Sequence, residues 1–396
     1  MANDVTTNPP TTDDFRKAQE AIIDLESPPE SYRVMRDHCP VQVAGGIAYV
    51  ALDEDVEAGL RDVGHFSSTD PSSLGNVRPL IPVNVDPPEH ARYRRILDPL
   101  FSPKEVGRFA DDFAALANRL IDQFIDRGSC DFATEFAVPL PCNMFLTMLG
   151  LPLEDLPLLL ALNDAVMRPD PSGDVAAGVA TAGQRFYDYF EKHLANRGDQ
   201  RGNDIISRVL EAESDGDRLT HEEVLDILYM FTLAGLDTVT ASLECFIAYL
   251  AQHPDQRHRL VDDPSLIPSA VEELLRSESP VMMSVRVATE DITVRGCAIK
   301  ANTSVAFLLG SANLDERACA EPDVVNFERD PNRHIAFGRG IHRCLGSHLA
   351  RLELRVALEE LHRRIPDYEI EPGAELVWRG PAIRSVPNLP LRFPIH

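Results

Sequence analysis

The sequence has too few basic residues to balance its acids: 38 Lys and Arg stand against 63 Asp and Glu, a formal net charge of −25 over 396 residues. Such a chain repels phosphates and anionic lipid headgroups, so we expect neither a nucleic acid nor a membrane as partner. It also lacks an uninterrupted apolar run of the roughly 18–20 residues that cross a bilayer. The N-terminal residues show no signal-peptide pattern, and we therefore expect a cytoplasmic protein.

Paired cysteines are absent as well. The seven cysteines are scattered and none belongs to a Cys-x-x-Cys motif, which disfavours the disulfide framework of a small secreted protein and fits a reducing compartment. Hydrophobic residues make up 44% and charged residues 26% of the chain, a globular composition. No repeat, low-complexity tract or Gly/Ser linker divides it. We expect a disordered polar tail over residues 1–12 and a single domain over residues 13–396.

Most of the sequence predicts helices, with small β-sheets attached. Two β-prone runs at residues 41–44 and 47–50 flank a Gly-Gly pair and predict a hairpin. Further short strands are predicted at residues 285–287, 292–294 and 304–308. The predicted fold class is therefore mainly α with small β-sheets.

Three helices have recognisable starts. A capping box at Ser102 predicts a helix that runs to about Arg127. A second capping box at Thr220 opens a largely apolar stretch that meets no proline before Pro254, so an unusually long helix should cross the interior. A last helix should run over residues 345–364.

Cys344 stands directly before this last helix, after a stretch that reads Phe-Gly-Arg-Gly-Ile-His-Arg-Cys-Leu-Gly over residues 337–346. The dipole and free amides of a helix start favour a thiolate, and glycines let a bulky planar ligand approach the backbone. A thiolate held in this way is a strongly donating ligand for haem iron. Two alternatives stay open. Cys344 is a buried small hydrophobe, or it binds zinc with His342 and His348, although a fourth ligand is missing.

A basic segment at residues 86–95 begins with Asp-Pro-Pro, a typical helix start. His90 and Arg94 then lie at i and i+4 on one helix face, where both can donate to a carboxylate. The alternative is the solvated basic face of a surface helix.

The middle of the long apolar helix carries Gly235, Asp237 and Thr238. Glycine costs a helix about 1 kcal/mol relative to alanine, and the Thr238 hydroxyl can bond back to the carbonyl of Ala234. A turn widened in this way leaves room for a small ligand, and a hydroxyl next to a carboxylate can relay protons. Alternatively, Gly235 serves helix packing beside a satisfied polar pair.

Two glutamates compete for one arginine in another predicted helix. Glu273 and Arg276 are spaced i, i+3, whereas Glu272 and Arg276 are spaced i, i+4. Spacing alone cannot choose between them, and an ordinary surface ion pair of little energetic value is the alternative for both.

Residues 337–346 resemble the haem-binding signature of the cytochrome P450 family, in its soluble bacterial form. The three segments just described resemble further motifs of that family and follow in the expected order. The resemblance implies the cytochrome P450 fold, with the long central helix crossing over haem b. It also implies a monooxygenase that activates O2 with electrons from a redox partner and inserts oxygen into a C–H bond.

The resemblance also implies a role for each matching residue. Cys344 would be the axial thiolate ligand of the haem iron, and Asp237 and Thr238 would be the catalytic pair that delivers protons. Haem contacts are implied for His90, Arg94, Ala234, Gly235, Arg286, Phe337, Gly338, His342 and Gly346. Within that set, the propionates would be bound by His90, Arg94, Arg286 and His342. The structural residues that fix the thiolate loop would be Glu273, Arg276 and Arg329.

The expected substrate is a hydrophobic small molecule, such as a terpenoid, a steroid or a branched lipid. By the same resemblance its pocket would be lined by Leu233, Val281, Met282 and Val285. A methionine at position 282 fits an adaptable apolar cavity, and it fits an ordinary core equally well.

No flavin or iron–sulfur motif is present, so electrons must come from another protein. The family implies a ferredoxin and its ferredoxin reductase. Residues 333–364 contain seven arginines and three acids, which form either a basic patch that steers an acidic partner or a solvated helix face. A peroxide-driven haem-thiolate peroxygenase, a non-catalytic haem-binding sensor and a lipid-binding helical protein without haem are the alternative functions.

Overall fold

The computed structural model describes residues 25, 28–69, 78–170, 172–214, 216–380 and 382–395, and the predicted tail over residues 1–12 lies outside them. Helices dominate this part of the chain, and the sheets are small, as expected. The helices are α1 (Pro28–His38), α2 (Asp53–Arg61), α3 (Glu89–Leu97), α4 (Pro103–Val106), α5 (Ala110–Ile121), α6 (Pro139–Leu149), α7 (Leu156–Met167), α8 (Val175–Arg197), α9 (Ile205–Glu211), α10 (His221–Gly235), α11 (Thr238–Gln252), α12 (Pro254–Asp262), α13 (Ile267–Glu278), α14 (Leu309–Asn313) and α15 (Ser347–Arg364). The strands are β1 (Val41–Ala44), β2 (Ile47–Val50), β3 (Phe66–Ser67), β4 (Ser129–Asp131), β5 (Glu213–Ser214), β6 (Asp217–Arg218), β7 (Ser284–Ala288), β8 (Ile292–Val294), β9 (Cys297–Ile299), β10 (Ser304–Phe307), β11 (Glu369–Ile370) and β12 (Pro390–Arg392).

The largest sheet has five strands in the order β1-β2-β10-β7-β3. Strands β1 and β2 form the predicted hairpin, in which Gly45 and Gly46 adopt positive φ angles of 58° and 82°. Glycine reaches this region of φ without a steric penalty. Strand β2 pairs in parallel with β10, with Ile47 opposite Ser304, and β10 pairs antiparallel with β7. The sheet therefore joins an N-terminal hairpin to strands from much later in the chain.

The remaining strands form smaller sheets. The predicted strands at residues 285–287, 292–294 and 304–308 are confirmed as β7, β8 and β10, with bounds that differ by at most one residue. Strand β8 pairs with β9, and β12 pairs with both β11 and β4. The last strand thereby ties the C-terminal end of the chain to its middle.

Helices α10 and α11 run through the interior. Buried residues occur on all sides of both helices. A helix that is apolar all round belongs either in a protein core or in a membrane. Among the described residues, His221–Gln252 is the one stretch long and apolar enough to span a membrane, and 72% of its tested window is buried inside the protein. This burial is typical of a core helix.

The long helix predicted from Thr220 to Pro254 is interrupted. Its start is confirmed, because the Thr220 hydroxyl accepts from the Glu223 amide (3.2 Å) and the Glu223 carboxylate accepts from the Thr220 amide (2.7 Å). Helix α10 then ends at Gly235, and α11 begins at Thr238. The prediction of one continuous helix is therefore wrong, whereas the prediction of an altered turn at this place is confirmed.

The helix predicted from Ser102 to Arg127 is also wrong as a continuous element. Helix α4 is a single turn, and α5 starts again at Ala110. Ser102 precedes α4, but its side chain makes no capping hydrogen bond. The Glu105 carboxylate that would complete a capping box pairs instead with Arg208 of α9 (2.7 Å). A local sequence pattern contains no information about such a distant partner.

Candidate active site

Cys344 lies in a tight loop just before α15. Its backbone amide donates to the carbonyl of Phe337 (2.9 Å), which closes the loop. Gly338 and Gly340 adopt positive φ angles of 68° and 70°. A Cβ on Gly340 would lie 2.5 Å from the carbonyl oxygen of Leu60 in α2. Both the turn and the close contact with α2 therefore require glycine at position 340.

The side chain of Cys344 is exposed, although protein surrounds the loop on which it lies. Burial raises the pKa of this thiol above its usual value, and a hydrogen bond from the Gly346 amide opposes the rise. The hydrogen bond from the Gly346 amide acts in the direction that the sequence predicts for a helix start, and the assignment of Cys344 as the haem thiolate stays a prediction. A metal ion bound to the sulfur deprotonates such a thiol.

A zinc site around Cys344 is not supported. In the part of the chain that the structure describes, no three His, Cys, Asp or Glu side chains are grouped to hold a metal ion. His342, Cys344 and His348 therefore do not form the metal-binding group that the zinc alternative requires.

Four basic side chains lie close to one another near this loop: His90, Arg94, Arg286 and His342. The rings of His90 and His342 lie against each other, with centroids 4.3 Å apart. The Nε2 atom of each ring is buried and has no hydrogen-bond partner. A carboxylate oxygen of Asp86 lies 4.0 Å from Nε2 of His342, too far for a hydrogen bond. Buried nitrogens of this kind normally have a partner, and a bound group with acceptor oxygens would supply one.

These basic groups disfavour one another's charged forms. Burial, followed by the charges of Arg286 and His90, lowers the pKa of His342 to about 3. Burial and the charge of Arg94 lower the pKa of His90, and burial lowers the pKa of Arg286 to about 10. An anion would relieve this repulsion and accept hydrogen bonds from the orphaned nitrogens. The two propionate carboxylates of haem are such anions, so the residues present fit haem.

The basic segment that carries His90 and Arg94 forms helix α3, but Asp86 does not cap this helix. Helix α3 begins at Glu89 without a side-chain cap, and Asp86 instead accepts a hydrogen bond from the Ser68 amide (3.0 Å). Arg94 donates to the carbonyl of Arg343 (2.8 Å) in the cysteine loop. Arg94 therefore ties α3 to the loop that carries Cys344.

The break between α10 and α11 is held by side-chain hydrogen bonds. Thr238 Oγ1 donates to the carbonyl of Ala234 (3.0 Å), as the sequence predicts. The carbonyl of Leu236 accepts from Thr240 Oγ1 and from Cys142 Sγ, both at 3.3 Å. Side chains here take the place of the backbone amides that a continuous helix would supply.

Gly235 packs against an aromatic ring. A Cβ at this position would lie 2.5 Å from the ring of Phe145 on α6. The packing alternative therefore describes the contacts of Gly235, and those contacts do not support its assignment as a haem-binding residue. The side chain of Ala234, by contrast, is exposed in the middle of this otherwise buried helix.

Asp237 pairs with an arginine that the sequence did not single out. Its carboxylate lies 2.7 Å from Nη2 of Arg168, just after the end of α7. Arg168 also pairs with Asp164, one helical turn earlier (3.2 Å). No local motif indicates this partner, since Arg168 and Asp237 lie 69 residues apart in the sequence.

Comparison with known proteins decides the family. Residues 166–365 match the family model of cytochrome P450. The chain is 34% identical to the cytochrome P450 CYP107DY1 of Priestia megaterium over 78% of this chain and 76% of that protein. It is 33% identical to the steroid C26-monooxygenase of Mycolicibacterium smegmatis over 92% of each chain. The chain belongs to the cytochrome P450 family.

The structure of this P450 agrees with its family. It superposes on CYP109E1 from Bacillus megaterium, solved in complex with testosterone, with a TM-score of 0.87 and 29% sequence identity; the match covers 95% of this chain and 99% of the other. The protein is thus a cytochrome P450 monooxygenase with the P450 fold, and its cofactor is haem b. Helices α10 and α11 together are the central helix that crosses over the haem.

Glu273 is the centre of a buried network in this P450. Its fully buried carboxylate pairs with Arg276 through two hydrogen bonds of 2.9 Å and with Nε of Arg329 at 3.1 Å. It also accepts from the Asn326 amide (2.8 Å) and from the Asn332 side chain (3.0 Å). These bonds hold residues 326–332, which precede the cysteine loop, against α13.

Glu272 has different partners. Its carboxylate accepts from Arg351 of α15 at 2.6 and 2.7 Å and lies 2.9 Å from Nε2 of His334. The structure thereby resolves the choice that spacing left open, because Glu273 and not Glu272 pairs with Arg276. The two neighbouring glutamates anchor different segments of the chain.

The residues expected to line a substrate pocket have varied surroundings. Met282 is buried in a small cluster with Tyr32 of α1, and Leu233 is buried in the main core. Val281 is half-buried against the main sheet, and Val285 is 48% exposed. The ordinary-core alternative therefore describes Met282, and the pocket-lining role of the four residues stays a prediction.

The two glutamates provide a matched test of the buried network. We expect Glu273→Gln to lower the free energy of unfolding by about 3–5 kcal/mol, because Arg276 is left buried without its anion. The partly exposed Glu272→Gln should cost only about 1 kcal/mol. Urea unfolding followed by circular dichroism measures both. Equal losses of unfolding free energy would show that the network around Glu273 stabilises the protein no more than the ion pairs of Glu272 do.

Proposed function

We propose that this P450 hydroxylates a hydrophobic small molecule with O2 and with electrons that a ferredoxin receives from its ferredoxin reductase. The observation that carries the proposal is the interrupted central helix, where a hydroxyl and a carboxylate occupy adjacent positions. A route through O2 needs protons delivered at the reacting centre, and an acid–alcohol pair is suited to that task. The residues proposed for this delivery are Asp237 and Thr238.

Bound haem supplies the redox chemistry that activates oxygen, and the protein residues supply its surroundings. Cys344 would hold the iron through its sulfur and donate electron density to it. The propionates would be held by His90, Arg94, Arg286 and His342. Glu273, with Arg276 and Arg329, fixes the chain that leads into the cysteine loop.

Proton delivery would proceed through two oxygen atoms on the central helix. Thr238 Oγ1 now donates to the Ala234 carbonyl, and rotation of the hydroxyl would turn its proton towards the reacting centre. The Asp237 carboxylate, which pairs with Arg168, would take up a proton from solvent water and pass it to Thr238 Oγ1, which replaces the proton that the hydroxyl gave up. The arginine holds this carboxylate in position between turnovers.

The substrate is proposed to be a terpenoid, a steroid or a branched lipid. Two relatives favour the steroid class among these. One is named a steroid C26-monooxygenase, and another was solved in complex with testosterone. A steroid is therefore the first class to screen, by the absorbance shift that a bound compound causes in the ferric enzyme.

The ferredoxin surface is proposed to lie near Cys344. Most of the arginines within residues 333–364 are paired: Arg351 with Glu272, Arg355 with Glu359, Arg363 with Glu360 and Arg364 with Asp122. Among the described residues, the exposed Arg333 and Arg343 form no ion pair. The uncompensated charge is thus smaller than the sequence indicates, and it is concentrated beside the thiolate loop. A negatively charged partner would be steered to that place.

We also infer that residues 13–396 act as a single domain in the cytoplasm. Support for the domain comes from a bacterial relative that matches over 92% of each chain. The buried course of the central helix through the protein interior supports a protein that does not use this helix as a membrane anchor.

The first experiment tests the ligand of the iron. We expect Cys344→Ala to lose the absorbance band that thiolate ligation gives to the reduced, carbon monoxide-bound enzyme, and to lose product formation. Cys319→Ala removes another partly exposed cysteine and should leave the spectrum unchanged. An unaltered spectrum for Cys344→Ala would refute haem-thiolate ligation at this residue.

The second experiment tests proton delivery. We expect Thr238→Ala to form several-fold less product per electron pair consumed and to release hydrogen peroxide instead, because a positioned proton donor contributes about 10²–10⁴-fold to such a step. Thr238→Ser keeps the hydroxyl and should retain most of the coupling. A steroid selected by the absorbance shift serves as test compound. Full coupling in Thr238→Ala would contradict the assignment, and peroxide-driven turnover without partner proteins would favour the peroxygenase alternative.

The third experiment tests the partner surface. We expect Arg343→Glu to lower the rate of reduction by ferredoxin about tenfold at low ionic strength, with a weaker dependence on salt. Arg363→Glu makes the same change in net charge at an arginine that is already paired, and its rate should change far less. Stopped-flow absorbance measures both. Equal effects of the two substitutions would exclude a docking surface centred on Arg343.

A further inference from the structure

Helix α6 contacts the break in the central helix at two neighbouring points. Cys142 and Phe145 are spaced i, i+3, so both side chains lie on the same face of α6. The ring of Phe145 occupies the space into which a side chain at Gly235 would project. The sulfur of Cys142 lies 3.3 Å from the carbonyl oxygen of Leu236, the next residue along the break.

The thiol is a hydrogen-bond donor at this position. Cys142 is completely buried, and burial raises its pKa to about 12, so the sulfur keeps its proton at neutral pH. A distance of 3.3 Å is short for a sulfur donor. The same carbonyl accepts from Thr240 Oγ1, which lies 3.9 Å from the sulfur.

The carbonyl of Leu236 is the last one before the catalytic pair. Its hydrogen bonds come from a neighbouring helix and from a side chain further along α11, so side chains rather than a backbone amide hold this peptide group. The following residues are Asp237, which pairs with Arg168, and Thr238, which donates to Ala234. The orientation of the Leu236 peptide group therefore affects the positions from which the Asp237 and Thr238 side chains project.

We propose that Cys142 is a positioning residue of this enzyme. The hydrogen bond from its thiol to Leu236, together with the contact of Phe145 on Gly235, holds the central helix open and places the Asp237 carboxylate and the Thr238 hydroxyl. The consequence for catalysis rests on the proposed function, whereas the effect on the helix does not.

A second buried cysteine provides a matched control. Cys245 is also completely buried, lies on α11, and donates to a carbonyl, that of Arg384, at the same distance of 3.3 Å. Its removal creates a cavity of the same size and loses a similar hydrogen bond, but away from the break. Any effect specific to the open turn should appear only when Cys142 is changed.

The test compares Cys142→Ala, Cys142→Ser and Cys245→Ala as haem-loaded enzymes. Hydrogen–deuterium exchange over residues 236–241 is the first measurement, and product per electron pair with the steroid used for Thr238 is the second. We expect Cys142→Ala to exchange about tenfold faster over residues 236–241 and to form several-fold less product per electron pair. Cys142→Ser keeps a donor and should return both values towards those of the unchanged enzyme. Cys245→Ala should lose similar thermal stability with neither effect.

Exchange that is unchanged in Cys142→Ala, or equally changed in Cys245→Ala, would overturn the positioning role. Faster exchange in Cys142→Ala, combined with full coupling in both Cys142→Ala and Thr238→Ala, would uphold the role of Cys142 in the helix and refute the proposed proton delivery.

Discussion

The buried carboxylate of Glu273 is the centre of the network that ties the chain before the cysteine loop to α13. An anion removed from water is costly unless charge and hydrogen bonds compensate it, and here Arg276, Arg329 and two asparagines do so. Arg276 also donates to the carbonyls of residues 313, 322 and 324. The chain that leads to Cys344 is therefore bound to α13 at several successive points.

The basic cluster around His342 is an unfavourable arrangement, because burial and neighbouring positive charges both oppose protonation of its histidines. Basic groups with lowered pKa values destabilise a protein that is kept below their normal pKa. For His342, with its pKa lowered to about 3, the stability is complete above the unfolded value near 6.5 and falls as the pH drops towards 3. An anion beside the ring would raise this pKa and relieve the same repulsion.

Much of this architecture could be predicted from local patterns. The hairpin at β1 and β2 has its glycines in sequence, the capping box at Thr220 is complete within four residues, and the back-bond of Thr238 involves a single helical turn. The missed features all depend on distant partners. Arg208 takes Glu105 away from its cap, Arg168 pairs with Asp237, and Phe145 explains Gly235.

The candidate site likewise combines features that local patterns predict with features that depend on distant partners. Residue types around the cysteine indicated a haem ligand, but no pattern showed that burial would raise the pKa of its thiol. The choice between Glu272 and Glu273 likewise needed the positions of Arg329 and Arg351. Side-chain pairs between helices depend on how the helices pack against one another. Short sequence patterns do not show this packing.

The parallel pairing of β2 with β10 has a consequence for how the protein is made. The hairpin leaves the ribosome early, but the free edge of β2 pairs with β10, which is synthesised only after the whole central helix. His90, Arg286 and His342 likewise come together only when almost all of the chain is available. Nascent chains therefore expose an unpaired strand edge for most of translation, and the basic cluster is complete only near its end.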